Sequence, residues 1–75
     1  MTLEQWESEI DAALEGSDWV GSLPGLMNDS STSYFTAARD GYKEDRYIAI
    51  SRDVFYTPEL RREEIRRQLG LRTHQ

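Results

Sequence analysis

The 75-residue chain contains no cysteine, one histidine (His74), one lysine (Lys43) and two prolines (Pro24 and Pro58). Without cysteine there is no disulfide framework and no thiolate zinc site, so apolar packing must hold the fold, and a reducing, cytoplasmic setting is expected. His74 falls in a tail, residues 72–75, that is expected to fray and gives a base or metal ligand no fixed geometry. Ser30, Ser31 and Ser33 therefore have no histidine base to activate them. No glycine-rich phosphate loop precedes a lysine, and the acidic turn Asp40, Glu44, Asp45 lacks the spacing of an EF-hand. No apolar run approaches the ~20 residues of a membrane span, and the start of the chain has neither the basic nor the apolar region of a secretory signal. The sequon Asn28-Asp29-Ser30 accordingly reads as a chance match. The sequence predicts no enzyme, no cofactor, no metal and no membrane contact.

The charge that is present is unevenly placed. Residues 1–38 hold no Lys or Arg and carry −7, whereas residues 39–75 hold all nine basic residues against seven acidic ones, for a net charge of −5 overall. Such asymmetry bears on partners more than on fold.

Organisation follows from caps and periodicity. Thr2-Leu3-Glu4-Gln5 has the form of a capping box. Leu3, Trp6, Ile10, Ala13 and Leu14 follow helical spacing, and Gly16 suits a left-handed C-cap, which predicts a helix over 3–15. Residues 16–32 are rich in glycine and small polar side chains and read as a long loop anchored by Trp19, Val20, Leu23, Leu26 and Met27, with a mobile Ser-rich end. Two antiparallel strands are expected at 33–39 and 46–52, joined by the longer loop Asp40-Gly41-Tyr42-Lys43-Glu44-Asp45 rather than by a tight Asp-Gly turn, with Phe35 opposite Ile50 and Ala37 opposite Ile48. Thr57 as N-cap, Pro58 at the first turn and Gly70 as the stop predict a helix over 58–69. The expected architecture is a small single α+β domain, helix, long loop, two-stranded hairpin and helix, with both helices on one face of the hairpin.

At 100° per residue, Glu4, Glu7, Asp11 and Glu15 fall within an arc of about 80° beside the apolar stripe, forming an acidic ridge that Asp18 and Asp29 are expected to continue. Like charges at i,i+4 cost roughly 0.2–0.5 kcal/mol each, and no basic residue in the helix relieves them. Relief must come from elsewhere. One source is internal: Arg61, Arg62, Arg66 and Arg67 on the last helix, although Glu63 and Glu64 compete for them through pairs such as Glu63–Arg67. The other is a protein partner with a basic surface, contacted by Glu4, Glu7, Asp11, Glu15 and Asp18 with Trp19 as the apolar anchor, in the manner of a small inhibitor or adaptor of the kind phages and mobile elements encode. Nucleic-acid mimicry is one version of that idea, since spaced carboxylates can occupy sites meant for phosphates.

The arginines support an alternative. The stretch Arg62-Glu63-Glu64-Ile65-Arg66-Arg67-Gln68-Leu69-Gly70-Leu71 resembles the first helix and turn of many helix-turn-helix DNA-binding domains. The resemblance implies a recognition helix after the turn, and the four remaining residues are too few to form one. A nucleic-acid role would then rest on Arg61, Arg62, Arg66 and Arg67 as a basic face, in a chain whose net acidity makes nucleic acid an unfavoured partner. A third class is a structural subunit of an assembly. Tyr34, Tyr47 and Phe55, placed on the strand face opposite Ile48 and Ile50, would there form a homodimer surface.

Overall fold

The computed structural model describes residues 1–26, 32–39 and 41–72. Helix α1 (Leu3–Leu14) is followed by strands β1 (Trp19–Leu26), β2 (Thr32–Arg39) and β3 (Asp45–Ser51), a single helical turn α2 (Arg52–Phe55) and helix α3 (Pro58–Gln68). The strands form one antiparallel sheet in the order β1-β2-β3, with the helices on one face. The α+β class and the packing of helices on the Phe35–Ile48–Ile50 face agree with the sequence. The long loop and the two-stranded hairpin do not, because Trp19–Leu26 is a third strand.

Both principal helices begin and end as their sequences dictate. The Thr2 hydroxyl accepts from the Gln5 amide and the Gln5 side chain accepts from the Thr2 amide, so the capping box is complete. Gly16 leaves α1 at φ +82° and Gly70 leaves α3 at φ +72°, conformations that suit glycine. The Leu71 amide reaches back to the Arg66 carbonyl at 2.8 Å, closing the α3 terminus as a Schellman turn. Thr57 is the N-cap of α3 with Pro58 in the first turn, but its side chain makes no capping bond.

Trp6, Ile10, Ala13 and Leu14 of α1 are buried against Phe35, Ala37, Ile48, Ile50, Phe55, Ile65 and Leu69. Leu3, counted in the apolar stripe, is exposed. Trp6 is fully buried, edge-on to Phe35 and Phe55 at centroid distances of 6.0 and 5.1 Å, and its indole N–H donates to the Tyr34 carbonyl at 3.1 Å. That bond settles the one polar group the ring brings into the core.

The β2–β3 register pairs Phe35 with Ile48 and Ser33 with Ile50. The expected pairing was two residues out of step. A two-residue shift keeps every side chain on its own face, so the inward set is unchanged while each cross-strand neighbour differs. β3 ends at Ser51, and residues 52–55 turn into α2 because Phe55 has to reach Trp6.

Candidate functional site

The acidic helix and the added strand meet at one side of the molecule. Glu4, Glu7, Asp11, Glu15 and Asp18 are all exposed, and among the described residues no Lys or Arg lies within ion-pair distance of any of them. The arginines expected to face this ridge are engaged elsewhere. Arg61 is only 5 % exposed; it pairs with Glu9 at 2.7 Å, a residue outside the ridge, and donates to the Phe55 carbonyl at 2.6 Å. Arg66 donates to the Ala13 carbonyl at 2.8 Å and to the Arg72 carbonyl at 2.5 Å, tying together the last turn of α1 and the segment after α3. Arg67 pairs at 2.6 Å with Glu64, one of the two competitors expected for the arginines, rather than with Glu63. Arg62 alone of the four is exposed with no ion pair. The arginines therefore do not form a shared basic face.

The Glu64 carboxyl is held below its ordinary value chiefly by its hydrogen bond from Arg67, with a second from Gln68 and against the opposing effect of burial; the same contact raises Arg67. The Nε atoms of Arg39 and Arg61 are buried without a hydrogen-bond partner. Each guanidinium instead lies over an aromatic face, Arg61 over Phe55 at 5.3 Å and Arg39 over Tyr42 at 4.3 Å and Trp19 at 5.8 Å. Ring quadrupoles attract cations in this geometry.

β1 is the edge strand beside the ridge. It pairs with β2 from Trp19↔Arg39 to Ser22↔Thr36, then slips so that Gly25 faces Tyr34, leaving Leu23 and Pro24 opposite Phe35 as a bulge. Leu23 sits at φ +52°, unusual for any residue but glycine or asparagine, and its side chain is 75 % exposed. The two strand glycines admit close neighbours: a Cβ at Gly21 would collide with Ile10, and one at Gly25 with the Tyr34 ring. Between α1 and this strand lies an open groove of about 320 Å³, lined by Glu7, Ile10 and Asp11 on one wall and by residues 21–24 on the other.

Hydrogen-bond parity shows which backbone groups border that groove. The Arg39 amide donates to the Glu44 carbonyl at 3.0 Å, so Arg39, Ala37, Phe35 and Ser33 direct their peptide groups to β3, and Ala38, Thr36 and Tyr34 direct theirs to β1. Val20 and Ser22 therefore bond to β2, and Trp19 and Gly21 point their N–H and C=O groups away from the sheet. The Trp19 amide is taken by the Ser17 hydroxyl at 3.2 Å, whereas no hydrogen bond among the described residues engages the outward-directed Gly21 amide and carbonyl. On the opposite edge the Gln68 side chain donates to the Ala49 carbonyl at 3.0 Å, so α3 covers β3. Thus β1 presents the less covered edge.

Of the predicted contact residues, the five carboxylates are accessible and Trp19 is not. Its side chain is buried at 7 % exposure under the Arg39 and Arg46 guanidiniums, so it cannot serve as an exposed anchor. The predicted dimer surface is only partly assembled. Tyr34 and Tyr47 lie together on the uncovered sheet face, 5.8 Å between ring centroids, but Phe55 is in the core on the other side. Leu23 and Gly21 were missed as site residues. A two-glycine segment with proline carries no strand signal, and only its pairing with β2 makes it an edge.

Met27, Asn28, Asp29, Ser30, Ser31, Asp40 and His74 lie outside the described residues, whereas Thr32, expected in the loop, begins β2. Among the described residues, no group of three or more His, Asp or Glu is placed to hold a metal ion, and no helix is long and apolar enough to cross a membrane. In comparisons with protein-family models, curated proteins and solved structures, nothing matches the chain. The site is therefore read from its own chemistry.

Proposed function

We propose that the protein is a non-enzymatic binding module, of inhibitor or adaptor type, that docks its α1 side on a basic surface of a partner protein. The observation that supports this reading is the set of five exposed carboxylates with no ion-pair partner among the described residues, on a domain that commits Arg61, Arg66 and Arg67 to other groups. Carboxylates so arranged repel one another along the helix, and a cationic partner relieves that repulsion while steering its own approach. Leu23, 75 % exposed at the groove beside α1, replaces Trp19 as the apolar contribution.

The test is charge reversal. Glu7→Lys, Asp11→Lys and Glu15→Lys are combined, retention of fold is checked by circular dichroism, and partners are recovered by pull-down from the source cell with both proteins. Affinity for a recovered, purified partner is then measured at about 0.05 M and about 0.3 M salt, between which screening changes strongly. The native chain should bind less well at high salt, and the variant should bind weakly with little salt dependence. Equal affinity of the two proteins would overturn the proposal.

A further inference from the structure

The groove beside the ridge contains more than charge. By the parity of the ladder Gly21 directs its amide and carbonyl away from β2, and among the described residues nothing bonds to them, the arrangement to which an extended peptide adds as a further strand. The bulge at Leu23 and Pro24 limits such pairing to the start of β1, so the site is short. Side chains of an added strand would alternate between two unlike surroundings. On the helix side they would meet Glu7 and Asp11; on the other side they would lie beside Val20, which is exposed on the uncovered sheet face.

We infer that the β1 edge at Gly21 receives an extended partner segment in which Lys or Arg alternates with apolar residues, its backbone bonded to Gly21 and its cations set against Glu7 and Asp11. This rests on the proposed docking to a basic partner and specifies its mode. Charge complementarity selects the occupant. A second copy joined edge to edge would bring two ridges together, each from a segment of the chain that contains no Lys or Arg. A purely apolar strand would leave both carboxylates unpaired.

The probe is the capped hexapeptide Lys-Val-Lys-Val-Lys-Val, titrated into the ¹⁵N-labelled full chain while the Gly21 amide signal is followed. Three control peptides carry the same charge: the block order Lys-Lys-Lys-Val-Val-Val, the parent N-methylated at its three lysines, and the parent N-methylated at its three valines. N-methylation removes donors from one edge of the peptide and leaves its charge intact. The parent should shift the Gly21 amide, and one methylated form should bind about tenfold more weakly, as expected for losing one or two backbone hydrogen bonds; the block peptide, which keeps its donors but no longer sets its lysines on one face, should also bind more weakly than the parent. The other methylated form should bind like the parent.

Equal binding by all four peptides, with loss of binding in the Glu7→Lys, Asp11→Lys protein, would overturn strand addition and leave charge-driven docking standing. No Gly21 shift at about 1 mM parent peptide would also overturn it. Self-association of the chain that itself protects the Gly21 amide would show the occupant to be a second copy.

Discussion

Replacing Arg61 is the most direct test of how the fold disposes of its charges. Its side chain is 6 % exposed, that of Glu9, whose carboxylate it contacts at 2.7 Å, is 36 % exposed, and its guanidinium also donates to the Phe55 carbonyl at 2.6 Å. Arg61→Met keeps most of the aliphatic volume and removes both bonds. Loss of a charged hydrogen bond to a buried carbonyl costs about 1.5–3 kcal/mol. Breaking a fully buried ion pair costs about 3–5 kcal/mol, but Glu9 can turn to water, so its share is nearer the ~0–1 kcal/mol of a surface pair. Burying the methionine thioether offsets part of this. The net expectation is about 2 kcal/mol, or roughly 8–16 °C in melting temperature for a domain of this size. The assay is thermal and urea unfolding followed by circular dichroism, with Arg62→Met as the control. Arg62 is exposed and without an ion pair, so its replacement should stay within about 0.5 kcal/mol. Glu9→Gln should cost less than Arg61→Met. If Arg61→Met is no more harmful than Arg62→Met, the buried guanidinium does not hold α3 against α1 and α2, and the assignment of the arginines to internal work fails.

The Glu64–Arg67 contact makes a pH prediction. The folded Glu64 carboxyl is depressed, so its stabilising effect is present above its unfolded value and is lost as pH falls through the folded value. The native chain should therefore exceed Glu64→Gln in urea midpoint at neutral pH, and the two should converge on acidification below the ordinary carboxylate value of 4.5; a constant difference down to about pH 2 would refute this. Leu23 occupies a left-handed conformation that costs an L-residue roughly 1–2 kcal/mol, against the ~0.5–1 kcal/mol of backbone entropy a glycine would lose. Leu23→Gly should then be as stable as the native chain or more so by up to about 1 kcal/mol in urea unfolding, while β-branched Leu23→Val should be less stable. Destabilisation by glycine equal to that by valine would show that the Leu23 side chain, rather than its backbone, matters to the fold.

Much of the helical structure was legible locally. Thr2 and Gln5 cap one another across three residues, and Gly16, Pro58 and Gly70 act through their own backbone preferences, so their effects need no knowledge of the rest of the chain. Strand β1 was not legible, because Gly21, Pro24 and Gly25 weaken any alternating pattern. Gly21 is there to admit Ile10 and Gly25 to admit Tyr34, contacts across 11 and 9 residues that no local rule contains. The β2–β3 register was legible as to face and not as to partner, since the period of two fixes the first and only packing of Phe35, Ile48 and Ile50 under Trp6 fixes the second. In the site, helical spacing put Glu4, Glu7 and Asp11 on one side of α1, and the structure leaves all three exposed. Trp19 was not, because its size suggested an anchor and its burial depends on two arginines that approach from β2 and β3.

By itself the sequence determined the two capped helices, the inward faces of β2 and β3 and an acidic first half with no cation in it. Each follows from periodicity, backbone preference or composition, which act over a few residues. Only the tertiary structure decided where the arginines go. Whether a guanidinium meets a carboxylate, a carbonyl or a ring depends on which chain segments lie side by side, and here packing sends Arg61 to Glu9 and Phe55 and Arg66 to Ala13. The acidic ridge is left to solvent by that placement, beside a strand edge that exists because β1 pairs with β2.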